Sequence, residues 1–541
     1  MMVDPIDLEV FRHRTTMIAE EMGAALGRSA LSPNIKERRD FSCAVFDAQG
    51  RMIAQAAHIP VHLGAMPRSV EAALARFILK RGDVVLLNDP FLGGTHLPDL
   101  TTVAPAYQGN TLIGYTATRA HHADVGGMSP GSMPMSRELY QEGLIIPPVR
   151  LIDGGQANEG LYDLICRNSR TPSERRGDLA AQLACHRVGE RRLADLAEQH
   201  GPEWVQQHMA ALIAYGERHM RAVVAALPDG IYAFEDALDD DGAGGGPTTI
   251  RVCIHITGDA AIVDFAGTAA QVRGPLNAPK AVTEAATLYC FRCLGTADMP
   301  SSAGAFVPLS IHVPEGTVLN PRPPAAVAGG NVETAQRVVD VLFGALAQAA
   351  PERIPAASAG TMNNWTFGGV RPDGSPFAYY ETLGGGMGAR PTLNGLSGVQ
   401  VHMTNTLNTP VEALERQFPV RVRRYGLRSD SGGAGQQQGG NGLVREIEFL
   451  EPATISILSE RRIRPPYGLQ GGSAGAVGRN TLIRNGAEHI LPGKATVELE
   501  AGDILRIETP GGGGWGGEEQ TGASQKVLYR EIMLQISTSE C

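Results

Sequence analysis

The sequence predicts an α+β chain of several domains: an amino-terminal region carrying a cluster of histidines and carboxylates, central helices, and a β-rich carboxy-terminal region. Three observations carry that prediction. At 541 residues the chain exceeds a single domain of roughly 100–200 residues several-fold. Its apolar residues recur with helical spacing in some long stretches and alternate with a period of two in others. Glycine is in excess, 66 residues or about 12% against a usual 7% or so, in separate patches rather than in a repeat.

In chain order, residues 6–30 carry the spacing of an amphipathic helix. Phe41 to Asp47 and Arg51 to Gln55 form a hairpin around Ala48-Gln49-Gly50. Two apolar strands follow, Asp83 to Leu87 and Thr111 to Thr118, within an α+β region over residues 1–170. Residues 171–229 are a helical segment, rich in Ala, Leu and Arg and closed by Leu227-Pro228-Asp229-Gly230. Strands return from Gly230 to Asp264, with a helix from Ala278 and another from Val332 to Ala350, in a mixed region over 230–418. Short alternating strands separated by turns fill 419–515, and 516–541 reads as a polar tail or docking helix.

Chemistry concentrates where the two amino-terminal strands end. One runs into Asn88-Asp89-Pro90-Phe91-Leu92-Gly93-Gly94-Thr95-His96-Leu97-Pro98-Asp99, the other into Arg119-Ala120-His121-His122-Ala123-Asp124-Val125-Gly126-Gly127. Together they hold three of the fourteen histidines and three carboxylates, at loop positions where rigid elements present ligands. His96, Asp99 and His121 are the expected ligands of one divalent metal ion. Two imidazoles and a carboxylate suit zinc or manganese, with iron(II) a further candidate, and leave coordination positions open. Neighbouring residues of a strand point to opposite faces, so His121 and His122 are not expected to share an ion. Asp89, His122 and Asp124 are then the expected catalytic helpers, fixing an imidazole tautomer or taking a proton from water. The alternative is that these side chains cap turns and bond backbone amides.

The remaining features exclude more than they assign. A net charge of −10 without a Lys/Arg run argues against nucleic acid and anionic membrane as partners. No apolar stretch approaches the ~18–20 residues of a membrane span. The start Met1-Met2-Val3-Asp4-Pro5-Ile6-Asp7 lacks the basic and apolar segments of a secretory signal, so the expected location is cytoplasmic. Seven scattered cysteines form no disulfide framework. Cys290 and Cys293 fall in a helical pattern and are expected in its buried core. None of the glycine patches has a P-loop or dinucleotide spacing. Val327-Ala328-Gly329-Gly330-Asn331, entering a helix, is expected to turn rather than to bind an anion.

The ordered motifs Arg39-Asp40-Phe41-Ser42-Cys43-Ala44, Asn88 to Asp99, Arg119 to Gly127, Gly177-Asp178-Leu179-Ala180-Ala181-Gln182, Asn277-Ala278-Pro279, Ala328 to Thr334, His402-Met403-Thr404-Asn405-Thr406 and Asp430 to Gly435 run nearly end to end. In them the chain resembles the hydantoinase B/oxoprolinase family, which includes the B-type chain of N-methylhydantoinase and related acetone, acetophenone and lactam enzymes. Asn394 to Gln400 departs from relatives, which often carry a more acidic or His-bearing version, and no role is carried over there. The resemblance implies that His96, Asp99 and His121 hold the metal. It implies a hetero-oligomer with a hydantoinase A-like subunit, which holds ATP and phosphorylates the carbonyl oxygen of a small cyclic amide for hydrolysis on this chain. The alternatives are a subunit of an ATP-dependent ketone carboxylase, a structural subunit whose metal locks the fold, and, from the ligand set alone, an iron(II) oxygenase.

Overall fold

A computed structural model of the chain describes residues 3–56 and 58–517. The first helix, α1 (Pro5–Ser29), starts where Asp4 caps the amides of Ile6 and Asp7 ahead of Pro5. Its buried stripe, Leu8, Phe11, Thr15, Ile18, Met22 and Leu26, follows helical spacing. A short turn α2 (Pro33–Lys36) leads into the hairpin β1 (Phe41–Asp47) and β2 (Met52–Gln55), and α3 (His62–Arg76) follows. Then come β3 (Val84–Leu87), β4 (Asp99–Gln108), β5 (Thr111–His121), β6 (Val149–Asp153) and β7 (Gln156–Ala157). These strands make one antiparallel sheet in the order β2-β1-β5-β4-β3-β6-β7.

A further helix, α4 (Glu159–Arg167), lies within the region over 1–170, and the helical segment over 171–229 consists of α5 (Pro172–His200) and α6 (Pro202–Ala225). Gly201, at φ 90°, separates the last two, with Pro202 opening α6. α5 packs between α1 and the β4–β5 pair, and so forms the back of the first sheet.

Strands 230–238, 248–257, 260–264 and 309–312 form a second sheet; the last of them runs parallel to its neighbour. Helices α7 (Lys280–Cys293) and α8 (Ala335–Ala349) are buried together, α8 against this sheet and α7 against α3. One apolar cluster, including Phe46, Val85, Val103, Val252, Phe291 and Leu342, joins the first sheet to this layer. The helix expected from Val332 begins at Ala335; Gly330–Thr334 forms a π-helical turn instead. Such turns displace a helix by one residue and recur at functional sites. Cys290 is buried as expected, whereas Cys293, the last residue of α7, is exposed.

The β-rich part holds two sheets, with strand orders 376–381, 364–370, 453–458, 494–499 and 420–428, 442–449, 504–508, 479–484, 487–491. Strands from both sides of residue 418 therefore share a sheet. Beside them lies one reason for the glycine excess. Segments 384–388, 431–440 and 510–514 stack main chain on main chain, linked by Gly386 N–H to Pro510 O, Gly512 N–H to Gly440 O and Gly433 N–H to Gly512 O at 2.8–3.0 Å. A Cβ at Gly386 would stand 1.9 Å from Gly440 O, and one at Gly512 2.1 Å from Met387 O. Only glycine fits that packing. The tail proposed for 516–541 lies beyond the described residues from 518 onward. Among the described residues no helix is long and apolar enough to cross a membrane.

Candidate metal centre

The first sheet's ladder brings the expected ligands together. Asp99, the first residue of β4, is the antiparallel partner of His121, the last of β5. His96 reaches them from the preceding loop, whose shape follows from its sequence. The Asn88 side chain donates to the carbonyls of Leu97 and Leu144 and accepts from Ile146 N–H. Gly94 sits where a Cβ would come within 2.3 Å of Asn88 O. Potential ligand atoms of His96, Asp99 and His121 all lie within 4.8 Å of one another.

The three side chains are almost wholly buried. Asp99 Oδ2 accepts from Thr95 Oγ1 at 2.5 Å and Asn331 Nδ2 at 3.3 Å, with His62 Nε2 at 3.6 Å. Its other oxygen, Oδ1, faces His96 Nε2 at 3.2 Å and His121 Nδ1 at 3.5 Å. His96 Nδ1 is held by the carbonyl of Ala328 at 3.2 Å, and the His121 ring stacks on Tyr380 at 4.3 Å. Burial opposes charge on His96, but the Asp99 carboxylate outweighs it and raises that imidazole. Burial drives His121 down to about 3, leaving it neutral and able to donate a lone pair. Burial works against Asp99 too, yet the surrounding imidazoles hold it well below the usual carboxylate range.

Among the described residues, two buried nitrogens, His96 Nε2 and His121 Nε2, have no hydrogen-bond partner, nor has Asn331 Oδ1. Orphaned imidazole nitrogens beside a carboxylate, around a cavity of about 20 Å³, are a donor set and a space that fit one small cation.

The expected helpers lie elsewhere. His122 points away from His121, as alternation requires, and its Nε2 pairs with Gln182 Oε1 of α5 at 3.0 Å. Asp124 is occupied by the amides of Gly126, Gly131 and Arg170 and by the Arg170 guanidinium at 3.0 Å. Asp89 caps the turn Pro90–Leu92 through Phe91 N–H. None of the three reaches the cavity wall.

Other residues do, and sequence reasoning assigned them no role. Asp40 lies on the wall because β1 pairs with β5, its carbonyl accepting His121 N–H at 3.0 Å. Burial pushes its carboxyl up to about 7. His62, at the start of α3, binds Ser42 Oγ at 2.8 Å. Asn331 comes from the π-helical turn. Tyr380 comes from a strand some 260 positions beyond His121. Asp40 and Asn331 stand inside family motifs, which was a usable signal. Tyr380 sits in an ordinary apolar run and gave none.

The profile of the Hydantoinase B/oxoprolinase family matches residues 4–518. The chain belongs to that family. It is 43% identical to 5-oxoprolinase 1 of Arabidopsis thaliana over 95% of its own length, and spans 42% of that longer protein. It is 31% identical to the B chain of a putative D-/L-hydantoinase from a Pseudomonas species, covering 95% of this chain and 90% of that one. Among solved structures it is similar to the ATP-dependent caprolactamase of Pseudomonas jessenii, with a TM-score of 0.89 and 29% identity over 96% of this chain and 92% of that one. Within the hydantoinase B/oxoprolinase family, then, this chain presents a buried His-Asp-His trio.

Proposed function

We propose that this chain is the metal-bearing, B-type component of an ATP-dependent cyclic-amide hydrolase of hydantoinase or 5-oxoprolinase type. It completes hydrolysis of a carbonyl whose oxygen an A-type partner has phosphorylated. The observation that carries the reading is the enclosed trio with two unpartnered imidazole nitrogens, in a chain similar to the B component of a putative hydantoinase.

A cyclic amide is a poor electrophile, and phosphorylating its oxygen makes the attached carbon a better one. Water adds at that carbon, the ring C–N bond opens as the nitrogen takes a proton, and a second water cleaves the acyl phosphate left behind into carboxylate and phosphate. His96, Asp99 and His121 would hold the ion; zinc and manganese suit the donor set, as does iron(II). A divalent ion supplies Lewis acidity that lowers the pKa of water from about 15.7 to about 7.

The remaining work falls to the chain's own groups. Thr95 and Asn331 fix Asp99 Oδ2 and so leave Oδ1 turned toward the imidazoles. Ala328 O sets the tautomer of His96 by accepting from Nδ1, which presents Nε2 as the lone-pair donor. Asp40, on the cavity wall, takes the role of proton acceptor that Asp89, His122 and Asp124 are not placed to fill. Val332, Met362 and Met403 close the wall with apolar surface that excludes bulk water.

The test is ATP-dependent turnover of hydantoin, 5-oxoproline and acetophenone by this chain assembled with an A-type partner, following ADP and product with and without bicarbonate. Ring opening that needs no bicarbonate is the expected result. Acid formation that requires it would place the chain with the ketone carboxylases, and turnover undiminished in His96→Ala would leave the metal a structural role.

A further inference from the structure

A second cavity, about 750 Å³ in volume, lies against the small one. Thr406 belongs to both walls; Met403 and Thr404 face the small cavity, and Val401, His402 and Asn405 the large one. The dividing segment 401–406 has no regular secondary structure, and His402 in it holds a left-handed φ of 56°.

We propose that the large cavity is a receiving site for an anionic, phosphorylated small molecule, bound through Arg390 and Arg353. This deepens the hydrolase reading and rests on it for the identity of the natural ligand. Four observations support it. The volume falls in the range of roughly 300–1,000 Å³ for small-molecule sites, against about 20 Å³ beside the trio. The chain's net charge is −10, yet among the described residues this wall carries two arginines and no carboxylate. Among the described residues Arg390 Nε is buried without a hydrogen-bond partner, and Arg353 commits one terminal nitrogen to Leu294 O. Tyr289 and Phe343 on the same wall offer apolar surface to a carbon ring. A planar guanidinium matches phosphate oxygens two at a time, which makes arginine the suited residue here.

Inorganic phosphate is the probe, titrated calorimetrically into the intact chain in wild-type, Arg390→Gln, Arg353→Gln, Arg390→Lys and His96→Ala forms. The expected result is binding that weakens roughly tenfold or more in each Gln variant, the loss of one charge-assisted contact, is partly restored in Arg390→Lys, and persists in His96→Ala. Phosphate binding lost in His96→Ala and kept in the arginine variants would overturn the site in favour of the trio, as would no binding to the wild type. In the assembled enzyme, Arg390→Gln is expected to release more ADP than ring-opened product. Because phosphate binding needs neither partner nor turnover, it can hold even where the hydrolase reading fails.

Discussion

Asp99 and His121 meet at the end of one antiparallel ladder, with Asp99 Oδ1 3.5 Å from His121 Nδ1. The two residues are 22 apart in sequence, and only the β4–β5 hairpin brings them together. A site built across paired strands inherits their rigidity. Replacing either ligand therefore removes donor atoms without removing the scaffold.

The first prediction contrasts adjacent residues. His121→Ala is expected to lose bound metal, read by elemental analysis of purified protein. His122→Ala is expected to keep it while losing about 1–3 kcal/mol of stability, because Gln182 Oε1 is left buried and unpaired. Equal metal loss in both would contradict the division of the two rings between opposite faces.

Glu142 acts on the site through main chain. Its Oε1 accepts from Ser136 Oγ at 2.6 Å, Val327 N–H at 2.8 Å and Ala328 N–H at 3.0 Å, which places the Ala328 carbonyl against His96. Glu142→Ala is expected to weaken metal affinity about 10–100-fold, the usual cost of losing a partner that orients a ligand. Competition against a chromogenic chelator would measure it, and an unchanged affinity would break the link from Glu142 to His96.

How much of this could be read from sequence depends on whether the signal was local. His96, Asp99 and His121 lie in two short motifs at strand ends, and alternation along one strand sufficed to separate His121 from His122. Helix α1, the helical character of the stretch that holds α5 and α6, and the first hairpin followed from periodicity and from Pro and Gly punctuation, whereas the break at Gly201 between α5 and α6 was not read. Tyr380, Asn331 and Asp40 reach the cavity through pairings between distant segments, which a residue's neighbours in sequence do not report. Asp124 and Asp89 misled for the opposite reason. Their loops need carboxylates to gather amides, and a carboxylate doing that looks the same in sequence as one poised for catalysis.

The glycine stack predicts a sharp positional contrast. Gly512→Ala forces a methyl to within 2.1 Å of Met387 O and is expected to cost about 3 kcal/mol or more. Gly246→Ala, exposed with nothing within 4 Å, is expected to stay within about 0.5 kcal/mol of the wild type. Chemical denaturation of both variants decides it; comparable stabilities would refute main-chain packing as the reason for the glycines.

Glu190 on α5 supplies a pH test away from the site. Burial pushes its carboxyl up to about 7 from an ordinary 4.5. The folded state thus binds this proton more tightly than the unfolded chain, so its contribution to stability is greatest below 4.5 and is lost as pH rises to 7. Glu190→Gln removes that loss. The gain in Tm of the variant over the wild type is expected to widen between pH 5 and pH 8, and a gap independent of pH would show that Glu190 does not titrate in this window.

The most direct test of the central claim couples metal to chemistry. Chain stripped by chelator is reconstituted with increasing zinc or manganese, assembled with the A-type partner, and assayed for ATP-dependent ring opening at each measured occupancy. Turnover is expected to rise in proportion to occupancy and level off at one ion per chain, with His96→Ala, Asp99→Ala and His121→Ala inactive throughout. Full turnover by the stripped protein, or full occupancy in all three variants, would contradict it.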